Sequence, residues 1–245
     1  MKVVVVASGK GGTGKTSLVA GVGAALSLRG RRVLLVDGDT GLRNLDIVLG
    51  VSDRMVFSFA DVAAGIVPLD KAAAAHPELP GLFIITAPSG SVEIEPAGFR
   101  QMIAQAEQSG FDAVFLDCPA GVGREIGVYA SAATEAVVVS ATDPMCLRGA
   151  ERAAAALREW GVEPVRLVLN RIRKKLIRRA LSENIDDAMD AVGLPLLGCI
   201  PEDEQVIVCA NQGKSAVLHH KKSAAKAYAN IAARLDGGCA PLLRL

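Results

Sequence analysis

VVVVASGKGGTGKTSLVAGVGAAL, residues 3–26, places a strand, a glycine-rich loop and a helix in one unbroken run. Residues 3–7 are apolar and mostly β-branched without alternation, the pattern of a strand buried on both faces. Leu18, Val22, Ala25 and Leu26 repeat at helical spacing, and Gly30 stops the helix. Between them Gly9 to Thr16, GKGGTGKT, satisfies G-x-x-x-x-G-K-[ST] in the context that gives the pattern meaning, after a buried strand and before an amphipathic helix. Glycines at 9, 11, 12 and 14 let successive backbone N–H groups converge on a phosphate, aided by the positive end of the helix that begins near Lys15. The loop therefore predicts a nucleotide site in which Gly11, Gly12, Thr13, Gly14 and Ser17 surround the phosphates. Lys15 is expected to reach the β- and γ-phosphates, and the Thr16 hydroxyl to ligate Mg²⁺.

Working outward, short runs rich in valine, isoleucine and leucine recur at 32–37, 82–87, 113–117, 135–141, 165–170 and 194–200. Segments with helical spacing lie between most of them, and Tyr228, Ile231, Ala232 and Leu235 form another such face near the end. Strands alternating with helices over the whole length predict an α/β fold, a doubly wound and mostly parallel sheet with helices on both faces. No linker, repeat or low-complexity segment divides residues 1–245, so a single domain is expected. The alanines at 72–75 read as helix or loop filler.

Composition narrows the function classes. The chain is 51% hydrophobic and 22% charged, with a formal net charge of +1, so no global attraction to nucleic acid or anionic membrane exists. Five cysteines (118, 146, 199, 209 and 239) form no C-x-x-C pair, and the three histidines add no metal motif. Reduced thiols in a cytosolic protein are the expectation. No run reaches the roughly 18 apolar residues of a membrane-spanning helix, and the apolar start is too short for a signal peptide.

Lys10 is the second lysine of the loop. Two ammonium groups about 5 Å apart repel by roughly 3 kcal/mol at an effective dielectric near 20, so the pair is not expected to pack together without an anion to share. One serves the loop's own phosphates, while the other points into solvent or toward a phosphate held by another molecule.

The strands ending at Asp37 and Asp117 run into DGDTGLRNLD (37–46) and DCPAG (117–121). In an open parallel sheet the ligand lies beyond the carboxyl ends of the strands, which puts both acidic stretches beside the loop. Asp117 follows apolar strand residues, as a Walker-B acid does when it holds Mg²⁺ directly or through water. Asp39, in a glycine-bracketed loop, is the candidate for orienting the attacking water, and Asp37 is either part of the same switch or a turn former. No N-K-x-D run marks a guanine site. Asn170, at a late strand end in LVLNRIR, can offer adenine an amide donor and acceptor, or satisfy backbone instead.

Taken together, KGGTGKT, DGDTGLRNLDIVLG, DCPAG, LVLNRIR, GCIPEDEQVIVCANQGKSA and KAYANIAARL resemble the MinD branch of the MinD/ParA group of deviant Walker ATPases, from residue 1 to about 240. The resemblance implies a Mg²⁺-dependent ATPase that forms a homodimer around two ATP molecules. It further implies that this dimer binds a MinC-like division inhibitor and the membrane, and is released by hydrolysis under a MinE-like regulator. Carried onto this chain, Lys10 crosses to the partner's phosphates and Asp39 positions water. Asn44 lies in the first switch, Asp117 and Gly121 in the second, and Asn170 with the backbone at Pro201 frames adenine.

Two departures stand out. Where many members of the branch have Asn-Pro-Glu, this chain has Asp143, Pro144 and Met145, leaving Glu151 to meet the partner's Lys10. Gly237, Gly238 and Pro241 interrupt the terminus where the family has a membrane-targeting helix, and LLRL cannot form one, so the expectation is a cytoplasmic protein whose membrane attachment rests on the resemblance alone. Alternatives are a partition ATPase holding DNA through Arg171, Arg173, Lys174, Lys175, Arg178 and Arg179, and a nucleotide-bound scaffold without turnover. The basic run reads better as a solvated helix start, since no aromatic residues interleave. An iron–sulfur carrier lacks its C-x-x-C.

Overall fold

The computed structural model describes residues 1–245 except Leu42, Ser91, Val122, Arg124, Arg244 and Leu245. Each expected apolar run overlaps a strand: β1 (Lys2–Ala7), β2 (Val33–Asp37), β4 (Leu82–Ile85), β5 (Ala113–Asp117), β6 (Glu135–Ser140), β7 (Val165–Ile172) and β8 (Leu196–Pro201). All seven are parallel. They form one sheet with the two-residue β3 (Ala74–Ala75) in the order β3-β4-β2-β5-β1-β6-β7-β8. The reading of the alanine run is corrected in part: Ala72 ends a helix as expected, but Ala74 and Ala75 pair antiparallel with β4 and form an edge.

Helices are α1 (Lys15–Leu28), α2 (Leu45–Val48), α3 (Phe59–Ala63), α4 (Leu69–Ala72), α5 (Pro96–Gln108) and α6 (Glu125–Ala130), then α7 (Pro144–Glu159), α8 (Lys174–Arg178), α9 (Ile185–Val192), α10 (Glu204–Asn211), α11 (Ala216–His219) and α12 (Ala224–Leu235). The sheet separates two apolar layers. On one side α3, α5, α6, α7 and α9 bury residues such as Phe59, Phe99, Tyr129, Leu147 and Val192. On the other, α1 and α12 bury Leu18, Val22, Tyr228 and Ile231. A strand covered on both faces has no polar side to present, which is why the runs do not alternate.

Helix α1 is buried all round from Leu18 to Leu26 rather than along one stripe. The sheet takes one side and α12 the other. Gly21 makes that possible, since a Cβ there would stand 2.5 Å from the Tyr228 ring. β1 is the strand at which the winding reverses, with β5, β2 and β4 to one side and β6, β7 and β8 to the other. The loop after β1 consequently opens into the crevice at the carboxyl edge of the sheet, where ligands of such sheets bind.

Candidate nucleotide site

The loop is built by its glycines. Gly12 and Gly14 adopt φ of 78° and 92°, the left-handed region that glycine enters without penalty. Gly9 lies against Gly149 of α7 so closely that a Cβ on Gly9 would stand 1.9 Å from the Gly149 carbonyl oxygen. The first residue of the loop is therefore seated on a helix from the far side of β1.

Lys15 and Lys10 leave the loop in different directions. Lys15 is 9% exposed, and its Nζ donates to Ser8 Oγ at 3.0 Å. Ser8 in turn donates to the Lys10 carbonyl at 2.8 Å, so the serine that holds the inner lysine also braces the outer turn. Ser8 was not among the sequence candidates, although its place at the strand end was legible. Lys10 itself is exposed and lines a cleft of about 320 Å³ with Asp143, Cys146, Leu176 and Ser182.

Asp143 caps α7 by accepting from the Cys146 N–H at 3.0 Å. Burial works to raise its carboxyl, but the Cys146 hydrogen bonds and then the Lys10 charge hold it below the usual carboxylate range. Where the family's carboxylate was missing, Met145 stands 72% exposed on the first turn of α7. Glu151 is exposed on the same helix, two residues beyond the Gly149 contact.

The acidic strand ends meet in register. Asp37 and Asp117 are partners across β2 and β5, and both are buried. Asp37 uses its carboxylate inside the switch: Oδ1 accepts from Asp39 N–H at 3.1 Å and Oδ2 from Leu45 N–H at 3.0 Å. Burial raises its pKa. Asp39 is half-buried and accepts from Gly41 N–H at 3.1 Å, while Asn44 stands at the N-terminus of α2 without capping it by its side chain. Arg43 ties this segment to the end of β4, donating to Thr86 Oγ1 at 3.0 Å and to Ser89 Oγ at 2.8 Å. Gly121, with φ of 93°, donates to the Ser8 carbonyl at 2.9 Å, which joins the second switch to the strand that feeds the loop.

Asp117 is pushed up to about 7 by burial, partly opposed by a hydrogen bond from Thr16. Its Oδ1 is buried and makes no hydrogen bond among the described residues. An orphaned carboxylate oxygen beside a threonine hydroxyl is the donor set that Mg²⁺ takes, hard oxygen ligands with room for water, so the residues present fit that ion. Cys118 is buried against the sheet, and burial pushes its thiol further up, as suits an inert packing residue.

Asn170 is buried and braces the loop from the other side. Its Nδ2 donates to the Thr13 carbonyl at 2.8 Å, and its Oδ1 accepts from Arg171 N–H at 2.9 Å. One N–H and one lone pair of the amide are left over. With Gly14, Ser17, Pro201, Val206 and Ile207 it lines a second cleft of about 210 Å³, of a size and apolar character that suit a base. In the basic run, Arg171 and Arg173 turn to Glu202, whose carboxyl the Arg173 hydrogen bonds and then those of Arg171 hold low. Lys174, Lys175 and Arg178 lie exposed on the short α8.

A glycine-turned loop after the central strand of a parallel sheet, a lysine buried behind it and paired carboxylates in front define a phosphate-loop nucleotide-binding protein, with a further lysine on the loop's outer side. The family model of the CobQ/CobB/MinD/ParA nucleotide binding domain matches residues 4–217, and the chain belongs to that family. Within it the chain is of the MinD kind. It is 36% identical to the septum site-determining protein MinD of Bacillus subtilis over 245 residues, 98% of this chain and 91% of the relative. It superposes on MinD in the MinC:MinD cell division protein complex of Aquifex aeolicus with a TM-score of 0.93, at 32% identity over 100% of this chain and 99% of that one. MinD of Pyrococcus horikoshii complexed with Mg-ADP gives a TM-score of 0.83 at 29% identity, with 96% of each chain covered.

Proposed function

We propose that this chain is an ATP-dependent switch in division-site placement: it dimerises around ATP and Mg²⁺, recruits a MinC-like inhibitor in that state, and is released by hydrolysis under a MinE-like regulator. The observation that carries the reading is the division of labour in the loop, where Lys15 is buried and bonded to Ser8 while Lys10 stands exposed at a cleft beside α7. An exposed lysine on the outer side of the loop is placed to serve a phosphate held by another molecule. In the proposed dimer it reaches the partner's nucleotide, and Glu151 on the exposed face of α7 meets the partner's Lys10.

Chemically, water attacks the γ-phosphorus and the bond to the β-phosphate oxygen breaks, leaving ADP and phosphate. The loop N–H groups of residues 11–17 and Lys15 neutralise charge on the β- and γ-oxygens, and Lys10 from the partner adds to it as the transition state develops. Thr16 and Asp117 would hold Mg²⁺, which when bound would supply positive charge to offset that of the phosphate oxygens. Asp39 orients the attacking water, with Asn44 in the same switch, while Asp37 fixes the loop that carries them. Asn170 and Pro201 frame adenine through the 210 Å³ cleft.

No helix among the described residues is long and apolar enough to cross a membrane. Ala240 and Pro241 fold back on α12, with Arg234 donating to the Ala240 carbonyl and Asn230 to that of Pro241. A cytoplasmic location is proposed. Capture of a MinC-type inhibitor by the purified chain with ATP but not ADP tests the reading, and equal capture in both states would contradict it. Co-sedimentation with anionic liposomes only in ATP would add peripheral attachment at the inner face of the membrane, whereas none in either state would confine the protein to the cytoplasm.

A further inference from the structure

β7 does not run regularly to its end. Its pairing with β8 slips between Leu169 and Ile172, and Arg171, inside the slip, has φ of 56°. A side chain with a Cβ rarely adopts that conformation, and a bulge of this kind re-aims the residue it carries. The strained peptide is held by Asn170, whose Oδ1 accepts the Arg171 N–H at 2.9 Å. Arg171 is thereby turned over the phosphate loop.

There its guanidinium joins two elements. Nη1 donates to the Gly12 carbonyl at 3.1 Å and Nη2 to Glu202 Oε1 at 3.2 Å. Glu202, just past the end of β8, is fixed in turn by Arg173, which donates to the same Oε1 at 2.7 Å through Nη2 and to Oε2 through Nε. Gly12, Arg171 and Glu202 line both the cleft at Lys10 and the cleft at Pro201, so together they are the partition between the two. An exposed ion pair alone contributes little. This one is anchored on a carbonyl of the phosphate loop and is aimed by backbone that would relax if it were not held.

We propose that Arg171 is a strap that sets nucleotide residence: it spans from the Gly12 carbonyl to Glu202 beside the seam between loop and base cleft, and it opens for nucleotide to leave. The inference rests on the nucleotide-site reading above. Arg171 is a positioning residue here, acting through the loop and Glu202, and a lysine cannot replace it because one ammonium lacks the planar fork that bridges two acceptors.

The test is the rate at which excess ADP chases N-methylanthraniloyl-ADP, bound with Mg²⁺, from the wild type, Arg171→Ala, Arg171→Lys, Glu202→Gln and the Arg171→Ala/Glu202→Gln double variant. Each single variant is expected to release about tenfold faster, and the double variant no faster than Arg171→Ala, because residues of one contact are not additive. Wild-type release in Arg171→Lys or Glu202→Gln, or effects that multiply in the double variant, would overturn the strap. A measurement without substitution keeps the proposal falsifiable if a variant fails to fold. Raising salt screens the exposed pair, so wild-type release should accelerate more than a dilute-salt loop-phosphate control, inorganic phosphate competition, predicts from its own salt dependence; equal salt dependence would count against the strap. Failure of the wild type to bind the probe at all would instead overturn the nucleotide reading on which the strap rests.

Discussion

The two sides of one loop behave differently. On the inner side, Lys15, Ser8, Thr16 and Asp117 are buried or half-buried, with Lys15 bonded to Ser8 and Thr16 to Asp117, so the phosphate site is organised before any ligand arrives. On the outer side Lys10 is exposed and lines an open cleft with Asp143 and Cys146, and the first turn of α7 presents an exposed Met145. Preorganised donors are what a site needs to stabilise charge without rearranging. In the proposed dimer, binding belongs to the inner side and assembly to the outer one.

Breaking the inner side should cost most. Lys15→Ala removes a cation that is already aimed, and nucleotide affinity should fall on the order of 100-fold, at the upper end for a charged hydrogen bond, in a calorimetric titration. An affinity within about threefold of wild type would remove Lys15 from the phosphate site. Asp39→Ala sharpens the comparison from the switch between the two sides. Binding and ATP-dependent dimerisation should persist while turnover falls by about 10²-fold or more, giving a trapped dimer in a phosphate-release assay and by chromatography. Normal turnover would place the water elsewhere.

The seat of the loop on α7 predicts a smaller, structural effect. Gly9→Ala puts a methyl group into the Gly149 backbone, so the loop or the helix must shift, and a destabilisation of about 1–3 kcal/mol should appear in denaturant unfolding. The smallest effect is on pH. Burial holds Asp117 near 7 in the ligand-free protein, while the unfolded chain releases that proton near 4. Between those values the native state binds more protons than the unfolded state, so stability from this group falls as pH rises through the window. Melting of the protein without Mg²⁺ should therefore decline from pH 5 to pH 7.5, and Asp117→Asn should flatten that part of the profile.

Much of the sheet was legible because strands buried on both faces leave continuous apolar runs, and the loop was legible because its glycines and lysines sit between two such signals. β3 was not, since two alanines carry no period and their pairing is decided by β4. Gly149 had a signal that went unused: a glycine inside an otherwise helical pattern marks a close approach. Arg171 had none. In the sequence it is one of a basic run, and only the bulge of β7 and the arrival of Glu202 from 31 residues away separate it from its neighbours. Asn170 was legible as a strand-end amide that could face adenine or satisfy backbone, and its bonds to the Thr13 carbonyl and the Arg171 N–H show the backbone role while naming partners that strand-end position alone does not specify.

The most direct test of the account is light scattering with Lys10→Ala in ATP and in ADP, beside a nucleotide titration of the same variant. The account predicts nucleotide affinity within about threefold of wild type, a wild-type dimer in ATP, and a Lys10→Ala protein that stays monomeric in both nucleotides. A Lys10→Ala variant that dimerises with ATP as the wild type does, or that loses nucleotide affinity to the same extent as Lys15→Ala, would contradict it.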